Sequence, residues 1–482
     1  MEIKAYIQNL LKGKSIEINA NRNSLFEEFA NNPTNAELVK CIFENQERIM
    51  TNWNIKNRIA DIQMQNIVIP NAKELIPYSA KIDFVALNLT DLVEGKFEGL
   101  EDLGLSFNKV TDTIEGTPTK SGDVKFKFLF KIRGEDETAT LNEKHISLVI
   151  NPDPKSLWKI IPSNQEAIFA KPDDLAVFET LGDKNIVVSS KRGRSHGKEG
   201  TSRDDDFAFK YFEKTQWSLV VVSDGAGSAY LARIGSKLAC DAVVEYFTTQ
   251  SNSEQEIKLE ILIEEYSQNK SEEKLEEIKK LSKFNLWQVS IFVHNKLKDF
   301  AEHTFNSNPE LFNNPKAKTN LEYLHSTLIF TLFKKYKFGY VIQSFGVGDC
   351  PIALINIDKT ETTLLNWLDV GEYGGGTRFI TQPDIFQKQE VMTTRFNLKI
   401  IEEFSYLFLM TDGIYDAKFE VEANLEKHEK WIEFLEDLDG KNEDANKVEF
   451  NKDNSEIANQ LSKWMDFWSA GNHDDRTLAI VF

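Results

Sequence analysis

The chain has 482 residues, 41% of them hydrophobic and 11% aromatic, which is enough for packed cores and excludes global disorder. Its formal net charge of −19 excludes the broad basic face that a nucleic-acid binder needs. Three scattered cysteines, Cys41, Cys240 and Cys350, fit neither a disulfide framework nor a zinc cluster and predict a reducing, cytoplasmic setting.

The opening MEIKAYIQNLLKGKS carries Glu2 and Lys4 and lacks the sustained apolar core of a signal peptide. No stretch approaches the ~18 unbroken apolar residues of a membrane span. Residues 1–64 predict a helical segment: SLFEEFANN and AELVKCIFENQERIM place apolar residues three and four apart, with Ser24 and Thr34 near the starts. Residues 65–151 change to β-type alternation in KIDFVALNL, VKFKFLFKI and HISLVIN, broken by Gly, Pro, Asn and Asp, and predict a small β-sandwich. Within it, Leu105, Ser106, Phe107, Ile114, Gly116, Thr117, Pro118 and Gly122 resemble one strand-turn-strand unit of bacterial immunoglobulin- and cadherin-like modules. That resemblance implies a spacer or a partner-binding module. Residues 152–176 contain four prolines and predict a linker, with Trp158 as the residue to pack it down. The remainder, 177–482, is the largest unit. Two charged stretches, near 251–282 and 420–452, interrupt it and predict solvated helical insertions.

The chemistry is concentrated in that last unit. WSLVVVSDGAGSA runs an apolar strand, Leu219 to Val222, into Asp224 and then only small residues up to Tyr230. SYLFLMTDG ends likewise in Asp412 and Gly413, YVIQSFGVGD ends in Asp349, and HDDRTLAIVF enters its strand from Asp474 and Asp475. SRDDDFAF places Asp204, Asp205 and Asp206 before another strand. One aspartate at a strand end is an ordinary turn residue. Several of them on strongly apolar strands predict a shared rim, where like charges repel and raise one another's pKa values. A hard divalent cation held by carboxylate, carbonyl and water oxygens removes that penalty. No His/Cys cluster competes, which argues against zinc. Gly225 lets a backbone carbonyl approach such an ion, and Ala226 to Ala229 leave room for substrate.

The order RGRSH, DDDF, SDGAGSA, HSTLIF, FGVGD, GEYGGGTRFIT, TDGIYD, NHDDRTLAIVF resembles the metal-dependent type 2C (PPM) Ser/Thr protein phosphatases, in their bacterial second-subfamily form, over about residues 185–482. The resemblance implies an α+β fold, a four-layer αββα sandwich of two antiparallel sheets flanked by helices. It implies two Mn2+ or Mg2+ ions, with Asp416 open as a ligand of a third, and attack by an activated water without a covalent phosphoenzyme. As metal ligands it maps Asp205, with Asp206 as the competing choice, and Asp224, the carbonyl of Gly225, Asp412 and Asp474. Asp475 stands where Asn is usual. A basic side chain should orient the phosphate; Arg192 is favoured over Arg194, with His196 behind them. Ala226 stands where eukaryotic members have a general-acid His. The implied partners are a phosphoprotein substrate and, by association, a Ser/Thr kinase and a von Willebrand A-type protein, with neither nucleic acid nor membrane. Two other functions fit the same residues: a pseudophosphatase scaffold, and a phosphatase of a small phosphorylated molecule.

Overall fold

The computed structural model describes residues 2–153, 159–249, 253–369, 376–387, 389–469 and 471–482. Trp158, and residues 371–375 of the GEYGGGTRFIT stretch, lie outside the described residues. The chain divides into two compact units, Met1–Leu157 and Trp158–Phe482. Among the described residues no helix is long and apolar enough to cross a membrane.

The first unit opens with three helices, α1 (Ile3–Gly13), α2 (Asn23–Ala30) and α3 (Pro33–Met64). Asn32 caps α3 by accepting from Thr34 N, with Pro33 preorganising the first turn. Seven strands follow: β1 (Ala72–Lys73), β2 (Tyr78–Lys81), β3 (Leu92–Glu98), β4 (Leu105–Asn108), β5 (Thr113–Gly116), β6 (Gly122–Ile132) and β7 (Asn142–Asn151). They form one sheet in the order β1-β7-β6-β3 and another in the order β2-β5-β4. The alternation in KFKFLFKI does what it predicts: Phe126, Phe128, Phe130 and Ile132 are buried, and the residues between them are wetter. They share one core with Ile114, Ile146, Leu148 and Ile62 from the end of α3.

In the second unit the strands are β8 (Asp174–Leu181), β9 (Lys184–Lys191), β10 (Asp206–Phe212), β11 (Trp217–Ser223), β12 (Leu328–Tyr336), β13 (Gly339–Val347), β14 (Ile352–Asn356), β15 (Thr362–Leu364), β16 (Phe396–Ile401), β17 (Phe404–Met410) and β18 (Arg476–Val481). The helices are α4 (Arg194–Glu199), α5 (Ala232–Thr249), α6 (Glu254–Gln268), α7 (Glu272–Ser307), α8 (Gln389–Thr394), α9 (Asp412–Lys418), α10 (His428–Leu438) and α11 (Ile457–Trp464). This is a mixed α+β unit with two antiparallel sheets, β10-β11-β12-β13-β16 and β15-β14-β17-β18-β9-β8.

Three apolar clusters explain why the strands read as unbroken hydrophobic runs. Val220 and Val222 of β11 pack in one cluster with Ile329, Ile342, Ile186, Val188, Leu407, Leu409 and Ala479, drawn from both sheets. Leu219 and Val221, on the opposite face, pack with Ala239 and Val243 of α5 and Val289 and Val293 of α7. Phe408, Met410, Leu478 and Ile480, on the far side of the other sheet, pack with Trp431, Phe434, Leu461 and Trp464. A strand buried on both faces has no wet side to alternate toward.

Two expectations are corrected here. The charged insertions are not merely solvated helices. Leu259 and Ile263 of α6, and Ile278 of α7, enter the core beside α5. Trp431, Phe434 and Leu438 of α10 are buried in the third cluster. The segment 152–176 is not a free linker either. From residue 159 onward it lies against the second unit: Ile161 N donates to Gly197 O, Asn164 N donates to Gly200 O, and Lys171 is buried. Prolines supply fixed turns for packing as readily as they supply a spacer.

Candidate active site

The strands that carry the aspartates end at one edge of the second unit. At β10–β11 the register pairs Asp206 with Ser223, so the start of one strand meets the end of the next. At β17–β18 it pairs Met410 with Leu478, which brings Thr411 and Asp412 beside Asp474 and Asp475. Two glycines permit the close approach: a Cβ on Gly193 would collide with the backbone of Asp474, and one on Gly413 with the carbonyl of Asp475.

Asp205 is buried and its Oδ2 accepts from Thr411 Oγ1 and Thr477 Oγ1, each at 2.8 Å. Ser190 Oγ lies 2.7 Å from Thr477 Oγ1, and Thr477 N donates to Thr411 Oγ1 at 2.9 Å. An aspartate of one sheet is thus fixed by hydroxyls of the other. Asp224 is held by reciprocal contacts with Thr327: its N donates to Thr327 Oγ1 at 2.9 Å, and Thr327 N donates to Asp224 O at 2.8 Å. Gly225 is buried against the same motif, since a Cβ there would lie 2.7 Å from Asp204 O. Its absent side chain therefore serves packing. Asp412 begins α9, and Asp474 Oδ1 accepts from Asp475 N at 2.8 Å. Asp349 Oδ2 accepts from Thr377 Oγ1 at 2.6 Å.

The electrostatics identify these side chains as one group. Burial, and then the charges of Asp412, Asp205, Asp474 and Asp349, push the Asp224 carboxyl well up. Burial and then Asp474, Asp349 and Asp205 do the same to Asp412. Burial and then Asp475 and Asp474 raise Asp205. Asp474 is raised by burial and then by Asp475, with His196 acting the other way. Asp416, on α9, is raised by burial and by Asp349, and is opposed by a hydrogen bond from Asn472. Mutually repelling, desolvated carboxylates at one rim fit hard divalent cations. A buried Asp349 Oδ1 with no hydrogen-bond partner adds an unused donor at the same rim.

The basic residues of RGRSH are placed differently from one another. The Arg192 guanidinium ion-pairs with Asp173 at 3.0 Å and donates to the carbonyls of Thr201 and Ile161, each at 3.0 Å. Its side chain is only 5% exposed. Arg192 therefore clamps the segment before β8 and does not face the carboxylates, which corrects the preference for it as the phosphate ligand. Arg194 lies over the Trp468 ring, 5.0 Å from the centroid, and its charge acts on His473 beside Asp474. His196 Nδ1 lies 2.9 Å from Asp475 Oδ2, and Nε2 lies 3.4 Å from Asp204 Oδ2. Burial alone would lower its pKa, but hydrogen bonds to Asp204 and Asp475 and their charges raise it to about 11. Asp475 Oδ1 also accepts from Gly193 N at 2.6 Å, and Oδ2 accepts from Asp204 N. Asp475 and His196 thus tie the first motif to the last.

Asp206 is the second correction. It points to the opposite side of the chain from Asp205, where Lys171 Nζ lies 3.0 Å away and Arg203 3.8 Å. Successive residues entering a strand face opposite ways, so Asp205 and Asp206 cannot both reach the rim. Lys171 also donates to Asp205 O at 2.9 Å and to Ser236 Oγ at 3.0 Å. Thr411 and Thr477 belong to the motifs read in sequence, and the structure shows what they do there. Lys171 and Thr327 are the supporting residues that motif reasoning did not single out; Thr327 lies in the HSTLIF stretch, so its place in that motif was the available signal.

The chain matches the family model described as Protein phosphatase 2C over residues 192–466. No curated protein matches it. Similar solved structures include the serine/threonine phosphatase of S. agalactiae, with 14% identity over 62% of this chain and 99% of that one at a TM-score of 0.36. Serine/threonine phosphatase Stp1 from Staphylococcus aureus has 15% identity over 64% and 96%, with a TM-score of 0.33. The catalytic domain of the serine threonine protein phosphatase PstP, in complex with two manganese ions, has 13% identity over 64% and 98%, with a TM-score of 0.34.

Proposed function

The chain belongs to the protein phosphatase 2C family, the metal-dependent protein serine/threonine phosphatases, and from that membership and the carboxylate rim we propose how its own residues perform the reaction. Asp205, Asp224, Asp412, Asp474 and the carbonyl of Gly225 hold two Mn2+ or Mg2+ ions, with Asp224 central to the set. The observation that carries this assignment is the meeting of Asp205 with Thr411 and Thr477 at the strand ends that also bear Asp412 and Asp474, with the charges of Asp412, Asp205, Asp474 and Asp349 acting on Asp224. When bound, two such cations supply Lewis-acid stabilisation of the phosphoryl oxygens and make water a competent nucleophile at neutral pH.

The protein's part is positioning. Thr411 and Thr477 fix Asp205 in one orientation, and Thr327 fixes the backbone that presents Asp224. His196 and Asp475 hold the first and last motifs in register, so that Asp205 and Asp474 stay opposite one another. Gly227 has open space where a side chain would stand, and with Ala226 it leaves a floor that admits a phosphorylated side chain. Arg194 is the guanidinium of the pair that lies beside the rim, and it orients the substrate dianion. With Ala226 at the general-acid position, the leaving alkoxide takes its proton from water.

Two sheets facing one another across a shared core, with helices on both outer faces, support the four-layer αββα reading for 177–482. The paired small sheets of residues 65–151 support an immunoglobulin-like module that spaces or docks the enzyme, after a helical segment 1–64. Three free cysteines fit a cytoplasmic protein. A Ser/Thr kinase and a von Willebrand A-type protein remain proposed associates. The deciding experiment follows release of phosphate from phosphoserine and phosphothreonine peptides by the full chain, in EDTA and with added Mn2+. Turnover that ignores both EDTA and Mn2+ would sink the assignment.

A further inference from the structure

Asp224, Asp349 and Cys350 each present a ligand atom within 4.8 Å of the others. We propose that these three side chains form a mixed carboxylate–thiolate site for a thiophilic divalent cation of the Zn2+ and Cd2+ class, and that its occupancy inhibits the phosphatase. The proposal rests on the reading of Asp224 as a ligand of the catalytic pair.

Two independent features point to a ligand here. One is the sulfur itself, which is fully buried and sits 3.3 Å from Thr327 Oγ1, the hydroxyl that also receives Asp224 N. The other is Asp349. It is 9% exposed, its Oδ2 is used by Thr377, and its buried Oδ1 has no hydrogen-bond partner. A carboxylate fixed at one oxygen and unused at the other is preorganised to ligate.

Zinc–sulfur and zinc–oxygen bonds of about 2.3 and 2.0 Å at a tetrahedral angle place O and S about 3.5 Å apart. The three groups therefore need to close by little more than ~1 Å. Binding replaces the thiol proton, which leaves to water, and the fourth position stays with water. Mg2+ and Mn2+ prefer all-oxygen, octahedral shells, so the thiol selects against the activating ions and for softer ones. Withdrawing Asp224 toward Cys350 removes the central carboxylate from the catalytic set, which is why occupancy inhibits.

The test uses the full chain carrying Cys41→Ser, because Cys41 is exposed and binds Cd2+ on its own account. In metal-free protein, Cd2+ should produce a thiolate-to-cadmium charge-transfer absorption at one equivalent. Cys350→Ser on that background should abolish the absorption while melting at the parent temperature. If it perturbs the melt, Cys350→Ala replaces it under the same criterion. With Mn2+ present, the Zn2+ concentration for half-inhibition should rise ≥10-fold in the Cys350 variant. No absorption in the parent, the same absorption in the variant, or equal Zn2+ sensitivity overturns the proposal. Loss of Mn2+-dependent turnover in the untreated parent is a different failure. It removes the phosphatase reading while the absorption still decides the site.

Discussion

Asp205 and Asp206 are neighbours in sequence, both buried, and chemically identical, yet they sit in opposite electrostatic worlds. On the Asp205 side the strongest charges are other aspartates, and burial raises the carboxyl. On the Asp206 side a buried lysine and a buried arginine lie within ion-pair reach. The second arrangement is complete as it stands, since each charge has a partner and hydrogen bonds besides. The first is incomplete and calls for a cation from solution. On the proposed reading, the difference separates a site built for function from one built to hold the chain in place, and it uses no motif to do so.

The largest expected effect breaks the incomplete side. Asp224→Asn removes an anionic ligand from the centre of the cluster, so kcat/KM with Mn2+ should fall by ~10³-fold or more, about 4 kcal/mol. The metal-free variant should melt above the metal-free parent, because it loses the repulsion that raises Asp224, Asp412 and Asp205. The sign of the pH dependence is the same physics. These carboxyls bind protons more readily folded than unfolded, so the metal-free parent should gain stability as pH falls from 8 toward the ordinary carboxylate range near ~4. Mn2+ should abolish that gain, since it binds the deprotonated ligands. Turnover in Asp224→Asn at saturating Mn2+ close to that of the parent would refute the assignment, and so would a flat metal-free profile.

A smaller effect breaks the complete side. Lys171→Met leaves Asp206 without its closest cation, and removing one partner of a buried pair costs ~3–5 kcal/mol. Chemical denaturation should show it, and the double variant Lys171→Met with Asp206→Asn should recover a good part of the loss. The same reasoning revises where the enzyme can be cut. A fragment 177–482 discards Lys171 and the Asp173 partner of Arg192, whereas 159–482 keeps both. The longer fragment should retain Mn2+-dependent cleavage of an aryl phosphate, and the shorter should be unstable. Equal stability of the two would show that the segment before β8 contributes nothing.

What was legible in sequence follows from where the information lies. That Asp224, Asp412 and Asp474 meet at one rim was legible because a carboxylate at the end or the start of an apolar strand is a local pattern. The resemblance pointed to Asp205 over Asp206, and the side that Asp205 takes follows from a local pattern. Asp205 shares the parity of Phe207 and Phe209, which pack on the core between the sheets, so period-two alternation carries it to the same side. Lys171 was not legible, because it sits in a proline-rich stretch more than thirty residues upstream and only the fold brings it under Asp206. The helical insertions were misjudged for a different reason. Leu259 and Ile263, and Trp431, Phe434 and Leu438, lie at helical spacing, but the Glu and Lys around them dominate the composition. A narrow apolar stripe is enough to dock a helix whose other faces are charged.

The smallest effects sharpen the comparison at its edge, at the two arginines of RGRSH, both of which have partners: Arg194 donates to the carbonyls of Phe467 and Asp466, each at 3.4 Å. Arg192 is saturated: Asp173, Ile161 O and Thr201 O take its donors. Arg192→Ala should therefore lower stability by ~1–3 kcal/mol, as removal of a hydrogen-bonded charge does. Where it is folded, KM and kcat should stay within about twofold of the parent. Arg194 lies over Trp468 beside the residues that lead into Asp474. Arg194→Ala should cost little stability and should raise KM by ~10-fold, about 1.4 kcal/mol. Mn2+ affinity should hold or improve, because a guanidinium repels the ions it sits beside. Steady-state kinetics and Mn2+ titration of the two variants check this split. A kinetic defect confined to Arg192→Ala would mean that its side chain leaves Asp173 to meet substrate, and the division between holding and acting residues drawn at Asp205 and Asp206 would not extend to this pair.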